Sequence, residues 1–335
     1  MEEGSMILGS KRFQKETGRD VNAEEIAGAI KSLVDPKDGL LKEELSQERD
    51  CPICNKESES SKVVFIKDGF HYRKCLGCSV VFVSPIIKEE ILEEMYRESD
   101  YARSCMKKQI NSVEQQFNQS KFEQGIKELK DILQRKGKIL DVGCAVGQFL
   151  RVCKKSGWDA IGIELNKEER TYCKSLGLEV LGEPLADKLF QDETFDAVAM
   201  WDVLEHVPFP RQDLRRIRKI LKPGGVLLIV VPNIGSLAAQ MLQKKCNMFN
   251  GMSHINMFNN DTLTTLLEEE GYEISHRSTI ISEISVMNNY LNYEHPYLGE
   301  AKGLHSIFEY MSEENIHKYL LGYKLKFVVR KADSA

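Results

Sequence analysis

The sequence has no excess of basic charge, no apolar run long enough to span a bilayer, and no internal repeat or low-complexity tract. With 46 Lys and Arg against 51 Asp and Glu, the formal net charge is −5. That balance argues against a broad basic face for duplex nucleic acid. The first residues are polar and charged and carry no secretory pattern, so the expectation is a cytoplasmic protein. An even number of cysteines is also lacking: there are nine, and only four fall in close pairs. In a reducing compartment an odd count favours metal binding for the pairs and free thiols for Cys105, Cys144, Cys153, Cys173 and Cys246.

What is present is organised around residues 138–149, KILDVGCAVGQF. A short apolar run ends in Asp141, Gly143 and Gly147, and an amphipathic helical pattern follows. Strand, glycine turn and helix open a nucleotide-type βαβ unit. Asp141 stands where a dinucleotide fingerprint would begin with glycine. A carboxylate there repels a pyrophosphate and favours a cationic ligand such as S-adenosylmethionine, which carries a sulfonium and an ammonium. Glu164 closes the second predicted strand about 20 residues past the turn, where an open α/β sheet offers a carboxylate to a ribose diol.

The flanking chain divides in four. Residues 1–48 form a polar lead-in with helical patterns over 21–34 and 40–45, broken at Pro36. Residues 49–84 hold Cys51-Pro-Ile-Cys54 and Cys75-Leu-Gly-Cys78, two knuckles about 20 residues apart with strands expected at 63–66 and 70–73. Such spacing predicts a four-cysteine zinc ribbon, its thiolates closing a structural site; redox chemistry by either pair is the alternative. Residues 85–135 read as a helical linker or lid, with Tyr96 and Tyr101 as candidate pocket-capping aromatics.

From 136 to 335 strands and helices alternate. Strands are expected at 139–142, 160–164, 178–181, 195–200, 226–231, 273–281 and 323–330. Helices are expected at 148–155, 167–175, 214–221 and 262–270, the last capped by Asp261. An insertion at about 285–321 carries Tyr290, Tyr293, His295 and Tyr297.

The series ILDVGCAVGQFL, IGIELN, FDAVAMWDVLEHV and ILKPGGVLLIVVPN resembles the motifs of class I S-adenosylmethionine-dependent methyltransferases over roughly residues 120–331. The resemblance implies a Rossmann-like α/β fold with a seven-stranded sheet whose last strand runs antiparallel. It implies S-adenosylmethionine as cofactor, with Asp141, Gly143, Cys144 and Gly147 lining its methionine end. Glu164 and Leu165 would lie at the ribose, residues 184–187 near the adenine, and Trp201 and Asp202 on the cofactor cleft. The cysteine ribbon ahead of that core is similar to bacterial methyltransferases acting on sugars, lipids or secondary metabolites.

Asp202, Glu205 and His206 form a further constellation, on one face if residues 203–207 begin a helix. Glu205-His206 and the later SHINMF stretch with His254 resemble ubiquinone-biosynthesis O-methyltransferases. In that group an acidic, acidic, histidine trio can hold a divalent ion, and here Asp202 is one methylene shorter. His206 is alternatively a general base, with Glu205 and His254 as further catalytic candidates. The leading expectation is therefore methyl transfer to a small-molecule, sugar or lipid-intermediate acceptor, probably through oxygen. A macromolecule methyltransferase gripping RNA or protein with the ribbon, a non-catalytic cofactor-binding module, and a dehydrogenase disfavoured by Asp141 are the alternatives. Acceptor identity and oligomeric state are not legible.

Overall fold

A computed structural model of the chain describes residues 19–281 and 313–332. Helix α1 (Arg19–Leu33) leads to strand β1 (Ser46–Gln47). The expected helix at 40–45 shrinks to one 3-10 turn at Glu43–Leu45, because Leu41 bridges back to Val34 across the turn. The cysteine segment supplies β2 (Ser61–Lys67), β3 (Phe70–Cys75) and β4 (Val81–Val83), and β5 (Ile86–Ile87) then pairs antiparallel with β1. Asp68 and Gly69, both at positive φ, make the tight turn between β2 and β3.

Helices α2 (Glu89–Glu98), α3 (Asp100–Ile110) and α4 (Ser112–Leu133) follow. Ser99 caps α3 through the amide of Ala102, and Asn111 caps α4 through Val113 and Glu114. The side chains of Tyr96 and Tyr101, and the tyrosines and His295 of the expected insertion, lie outside the described residues.

The main sheet is built from β6 (Lys138–Val142), β7 (Asp159–Ile163), β8 (Glu179–Leu181), β9 (Phe195–Trp201) and β10 (Leu221–Pro232). Helices α5 (Gln148–Lys155), α6 (Lys167–Ser175) and α7 (Pro210–Ile220) connect them. After α8 (Leu237–Leu242), β11 (Asn256–Met257) and α9 (Asn260–Glu269) come β12 (Tyr272–Ile280), α10 (Glu313–Lys318) and β13 (Lys324–Lys331). The sheet order is β12-β13-β10-β9-β6-β7-β8. Pairs among β6 to β10 are parallel, and β13 runs antiparallel between β10 and β12. This is the expected seven-stranded class I arrangement. Chain direction reverses its march across the sheet between β6 and β9, so the carboxyl ends of these neighbours open the crevice of a doubly wound fold.

Continuous apolar strands fit a sheet covered on both faces. In β10, Leu227, Ile229 and Val231 enter one core, while Val226, Leu228 and Val230 enter the other. Each such side chain contributes about 1.5–3 kcal/mol by leaving water. Two helix boundaries differ from expectation. Helix α7 starts at Pro210, whose fixed φ suits a first helical position. Helix α9 is capped by Asn259 rather than Asp261: Asn259 Oδ1 accepts from the Thr262 amide at 2.8 Å while Thr262 Oγ1 accepts from the Asn259 amide at 3.0 Å.

The cysteine segment is not a separate bead. Strand β4 pairs with β11, completing a four-stranded sheet β11-β4-β3-β2. Phe70 and Tyr72 share a core with Met248, Phe249 and Met257, while Cys51, Ile53 and Phe82 belong to a core with Phe258 and Leu263.

Candidate functional site

The glycine turn after β6 places backbone, not side chains, at the mouth of the crevice. Gly143 has φ +73°, and a Cβ there would lie 2.7 Å from Val203 Cγ2. Gly147 has φ +72° and opens α5, where a Cβ would lie 2.5 Å from Leu178 Cδ1. Only glycine satisfies both demands at these two positions. The amides of Gly143 and Cys144 each donate to the Ile163 carbonyl at 2.9 Å, tying the turn to the end of β7.

Two carboxylates flank this cradle. Asp141 is 2 % exposed, and burial first, then the neighbouring charge of Glu164, holds its pKa well above the usual carboxylate range. Glu164 accepts from the amides of Ala145 at 2.9 Å and Asn166 at 2.8 Å. Burial raises its pKa against those hydrogen bonds. Each of its oxygens keeps a second acceptor site, so a ribose diol can be held without breaking either bond. A buried and a half-buried carboxylate that repel each other beside a glycine cradle suit a ligand that brings positive charge and hydroxyl donors.

Other expected cofactor residues fall nearby with mixed roles. Cys144 is buried, and the Leu165 carbonyl accepts from Arg170 at 2.6 Å. Trp201 packs edge-on against Phe122 and Phe149, and its buried indole N–H has no hydrogen-bond partner among the described residues. In the stretch expected near adenine, Asp187 pairs with Lys219 at 3.2 Å.

Beyond β9 the chain turns instead of forming the helix expected at 203–207. Pro208 and Pro210 account for this, since residues preceding proline avoid helical dihedrals. Asp202, left-handed at φ +56°, binds Lys324 Nζ through Oδ2 at 2.5 Å, while its buried Oδ1 has no hydrogen-bond partner among the described residues. Burial would raise the Asp202 pKa, but Lys324 and Lys121 outweigh it and the net shift is downward.

Asp202, Glu205 and His206 therefore do not share one helical face. What the turn brings together is Glu205, His206 and His254, with ligand-type atoms within 4.8 Å of one another. His206 Nδ1 lies 2.8 Å from the Ser253 carbonyl, and His254 Nδ1 lies 2.7 Å from the Met248 carbonyl. A carbonyl only accepts, so each Nδ1 carries the proton and each Nε2 presents a lone pair. The rings lie 4.9 Å apart. Burial foremost, then His254, lowers the His206 pKa to about 3, and burial lowers that of His254. Both imidazoles are neutral at ordinary pH. The Glu205 carboxyl has 0 % exposure, and among the described residues neither oxygen finds a hydrogen-bond partner, although Oε1 is 3.8 Å from His206 Nε2. Burial first and Asp202 next raise its pKa strongly.

The four knuckle cysteines converge at a separate centre. Cys51 and Cys78 sulfurs are 3.5 Å apart, as are those of Cys54 and Cys75, and none is in a disulfide. A tetrahedral zinc with thiolate bonds of about 2.3 Å needs sulfur separations of about 3.8 Å. The spacing and the soft donor set fit zinc.

Sequence reasoning did not single out Lys324, Arg49 or Asn256. Lys324 is the polar start of an apolar strand, a faint signal. Arg49 and Asn256 stand out only once the fold joins them. The Arg49 guanidinium, its pKa lowered to about 9 by burial, donates to the carbonyls of Val83, Pro208 and Ile255 and to Asn256 Oδ1. No helix among the described residues is long and apolar enough to cross a membrane.

Comparison with known proteins agrees with this architecture. Residues 114–277 match a family described as a methyltransferase domain. A ubiquinone biosynthesis O-methyltransferase of Aliivibrio fischeri is 36% identical over 95 residues, 26% of this chain and 41% of that protein. The enzyme of the same description from Methylococcus capsulatus is 34% identical over 114 residues, 31% of this chain and 47% of that protein. The chain thus spans under half the length of these two curated relatives. A solved S-adenosylmethionine-dependent methyltransferase from Archaeoglobus fulgidus aligns at TM-score 0.42 and 18% identity, covering 62% of this chain and 92% of that one. Seven strands in class I order, with β13 antiparallel between β10 and β12, give this chain the class I methyltransferase fold, and residues 114–277, just under half of it, match the methyltransferase-domain family.

Proposed function

We propose that the chain binds S-adenosylmethionine at the Gly143–Gly147 cradle and directs its methyl group to an oxygen of a small-molecule, sugar or lipid-intermediate acceptor. When bound, that cofactor supplies a methyl group activated by a sulfonium. The protein's task is then alignment, water exclusion and removal of one proton. A cationic ligand end beside Asp141 would draw its raised pKa back down and pair with the carboxylate so formed, and Glu164 accepts the ribose hydroxyls. The observation that carries the reading is a shared wall: Val203 packs on Gly143 and begins the turn that bears Glu205 and His206. The base candidates therefore adjoin the cofactor cradle.

His206 Nε2, with its proton held on Nδ1, is the acceptor for the hydroxyl proton. Glu205 Oε1, 3.8 Å from that Nε2, would stabilise the imidazolium as it forms by giving up its own proton, which burial otherwise holds on the carboxyl. A second reading rests on the same atoms. Two imidazole nitrogens of fixed tautomer and an otherwise unbonded carboxyl suit a divalent ion, with His254 replacing Asp202, which Lys324 already engages. A bound ion would lower the acceptor hydroxyl's pKa as a Lewis acid. Zinc at the four cysteines would be structural, since thiolates fill its shell.

Native mass spectrometry of the purified chain, followed by calorimetric titration with S-adenosylmethionine, tests the reading. One zinc and a bound cofactor or its demethylated product are expected, and acceptor screening with and without added Mg²⁺ follows. Folded, zinc-loaded protein that takes up no cofactor would remove the proposal in favour of a ribbon-bearing binding module.

A further inference from the structure

A residue outside the methyltransferase sheet is hydrogen-bonded to both histidine segments. Arg49 precedes the first knuckle by two positions, and its guanidinium reaches four acceptors on three stretches of chain. Nε donates to Val83 O at 2.9 Å, on the ribbon side. Nη1 donates to Pro208 O at 3.3 Å, two residues past His206. Nη2 donates to Ile255 O at 2.6 Å, one residue past His254, and to Asn256 Oδ1 at 2.9 Å.

Asn256 in turn closes the Glu205–His206 turn. Its Nδ2 donates to Leu204 O at 3.2 Å and Val207 O at 2.7 Å. The amides of Ile255 and Asn256 both donate to Glu205 O, at 2.9 and 3.0 Å. The turn therefore has no helix of its own, and its carbonyls are satisfied by the His254 strand and by Arg49. Among the described residues Arg49 makes no carboxylate ion pair and its hydrogen-bond acceptors are neutral, while the charge of Cys51 acts on it from two positions away. Pairing with the Cys51 charge does not account for hydrogen bonds that all go to neutral acceptors on three separate stretches of chain. The planar fork of Arg49 is well suited to fixing the relative position of several carbonyls at once.

We propose that Arg49 is a positioning residue that carries the ribbon's rigidity into the Glu205, His206 and His254 group. This rests on the reading of that group as the acceptor-side machinery. The ribbon then does more than fold: it fixes where the two Nε2 lone pairs point.

The test is imidazole nitrogen NMR on the full, zinc-loaded chain at a fixed pH of about 7.5, where both rings are neutral. Signals are assigned by His206→Gln and His254→Gln. The wild type is expected to show the Nδ1–H tautomer at both residues. In Arg49→Lys, one point donor replaces the fork, so loss of the fixed tautomer at His206, His254 or both is expected. Arg49→Met removes the donors entirely and should do the same. Zinc should stay at one per chain, and the dissociation constant for S-adenosylmethionine should change less than about threefold, because the cradle is held by β6 and β7. Should the Met variant fail to fold, the Lys variant decides. Wild-type tautomers in a folded Lys variant would overturn the proposal and leave Arg49 as ribbon packing. Failure of the wild type to bind S-adenosylmethionine would instead remove the functional reading, leaving the tautomer result to stand alone.

Discussion

Single residues carry the cofactor argument, and they are the easiest to test. Glu164→Gln keeps one acceptor oxygen but turns an amide NH₂ toward the Ala145 or Asn166 amide, which also donates. Affinity for S-adenosylmethionine should fall about tenfold or more, as for loss of a charge-assisted hydrogen bond. Calorimetry on folded protein measures it, and an unchanged constant would displace Glu164 from the site. Asp196 tests a different point, at the opposite end of β9. Burial would raise its pKa, but the Lys222 ammonium at 2.7 Å, the Lys138 amide at 2.9 Å and Arg135 prevail and lower it. A carboxyl depressed in the folded state stabilises the fold above its unfolded pKa of about 4 and loses that contribution as pH falls through the folded value. Asp196→Asn should therefore cost about 1–3 kcal/mol near neutrality, and the gap to the wild type should narrow below about pH 4. Urea melts at pH 7 and pH 3 check this, and an equal gap at both would refute the ion-pair account. Asp141, Glu164 and the cysteine knuckles were legible from spacing alone. Arg49 and Asn256 were not, because the partners that tie them to the histidine turn lie about 160 to 210 and about 50 positions away, and only tertiary structure joins them.

Among elements, the strands read well wherever burial on both faces makes the sequence continuously apolar. Short or chemically conflicted elements read poorly. Strand β11 has only two residues, and its partner β4 lies in the ribbon, so no local period marks it. The turn at 204–206 looked helical because Glu205 and His206 follow an apolar strand at suitable spacing. The prolines at 208 and 210 were the contrary signal, and they prevailed. Strand β10 begins at Leu221 rather than Val226, with Pro223-Gly224-Gly225 absorbed as an irregularity in its pairing with β9. The glycine turn is the element on which the site depends most. Gly143→Ala adds a left-handed alanine, costing about 1–2 kcal/mol, and pushes a methyl onto Val203. A drop in melting temperature of several degrees is expected, together with weakened cofactor binding, because Val203 is the wall shared with the His206 turn. Thermal melts with and without S-adenosylmethionine measure both, and a wild-type melting temperature would show that the contact relaxes freely.

Across the whole molecule, the question is whether the ribbon is an appendage or part of one cooperative body. Sequence alone presents it as a separate module, since its metal-ligand spacing is self-contained. The fold argues otherwise. Strand β11, from the methyltransferase side, completes the ribbon sheet, and Arg211 reaches the Ile53 carbonyl while pairing with Glu270 at 2.5 Å. Cys51 and Cys75 share a core with Phe195 and Phe327 of the main sheet. Structural zinc sites contribute folding free energy directly, about 10–16 kcal/mol in small zinc peptides. Part of that energy should therefore be felt by the methyltransferase core. Removing zinc with a strong chelator should lower the melting temperature by roughly 10 °C or more and keep a single transition. Re-added zinc should restore it. An independent ribbon would give a different result: a low-temperature ribbon transition sensitive to chelator and a main transition that does not move. Differential scanning calorimetry separates the two outcomes. Only the single, shifted transition is compatible with a ribbon that holds the His206 and His254 segments in place through Arg49.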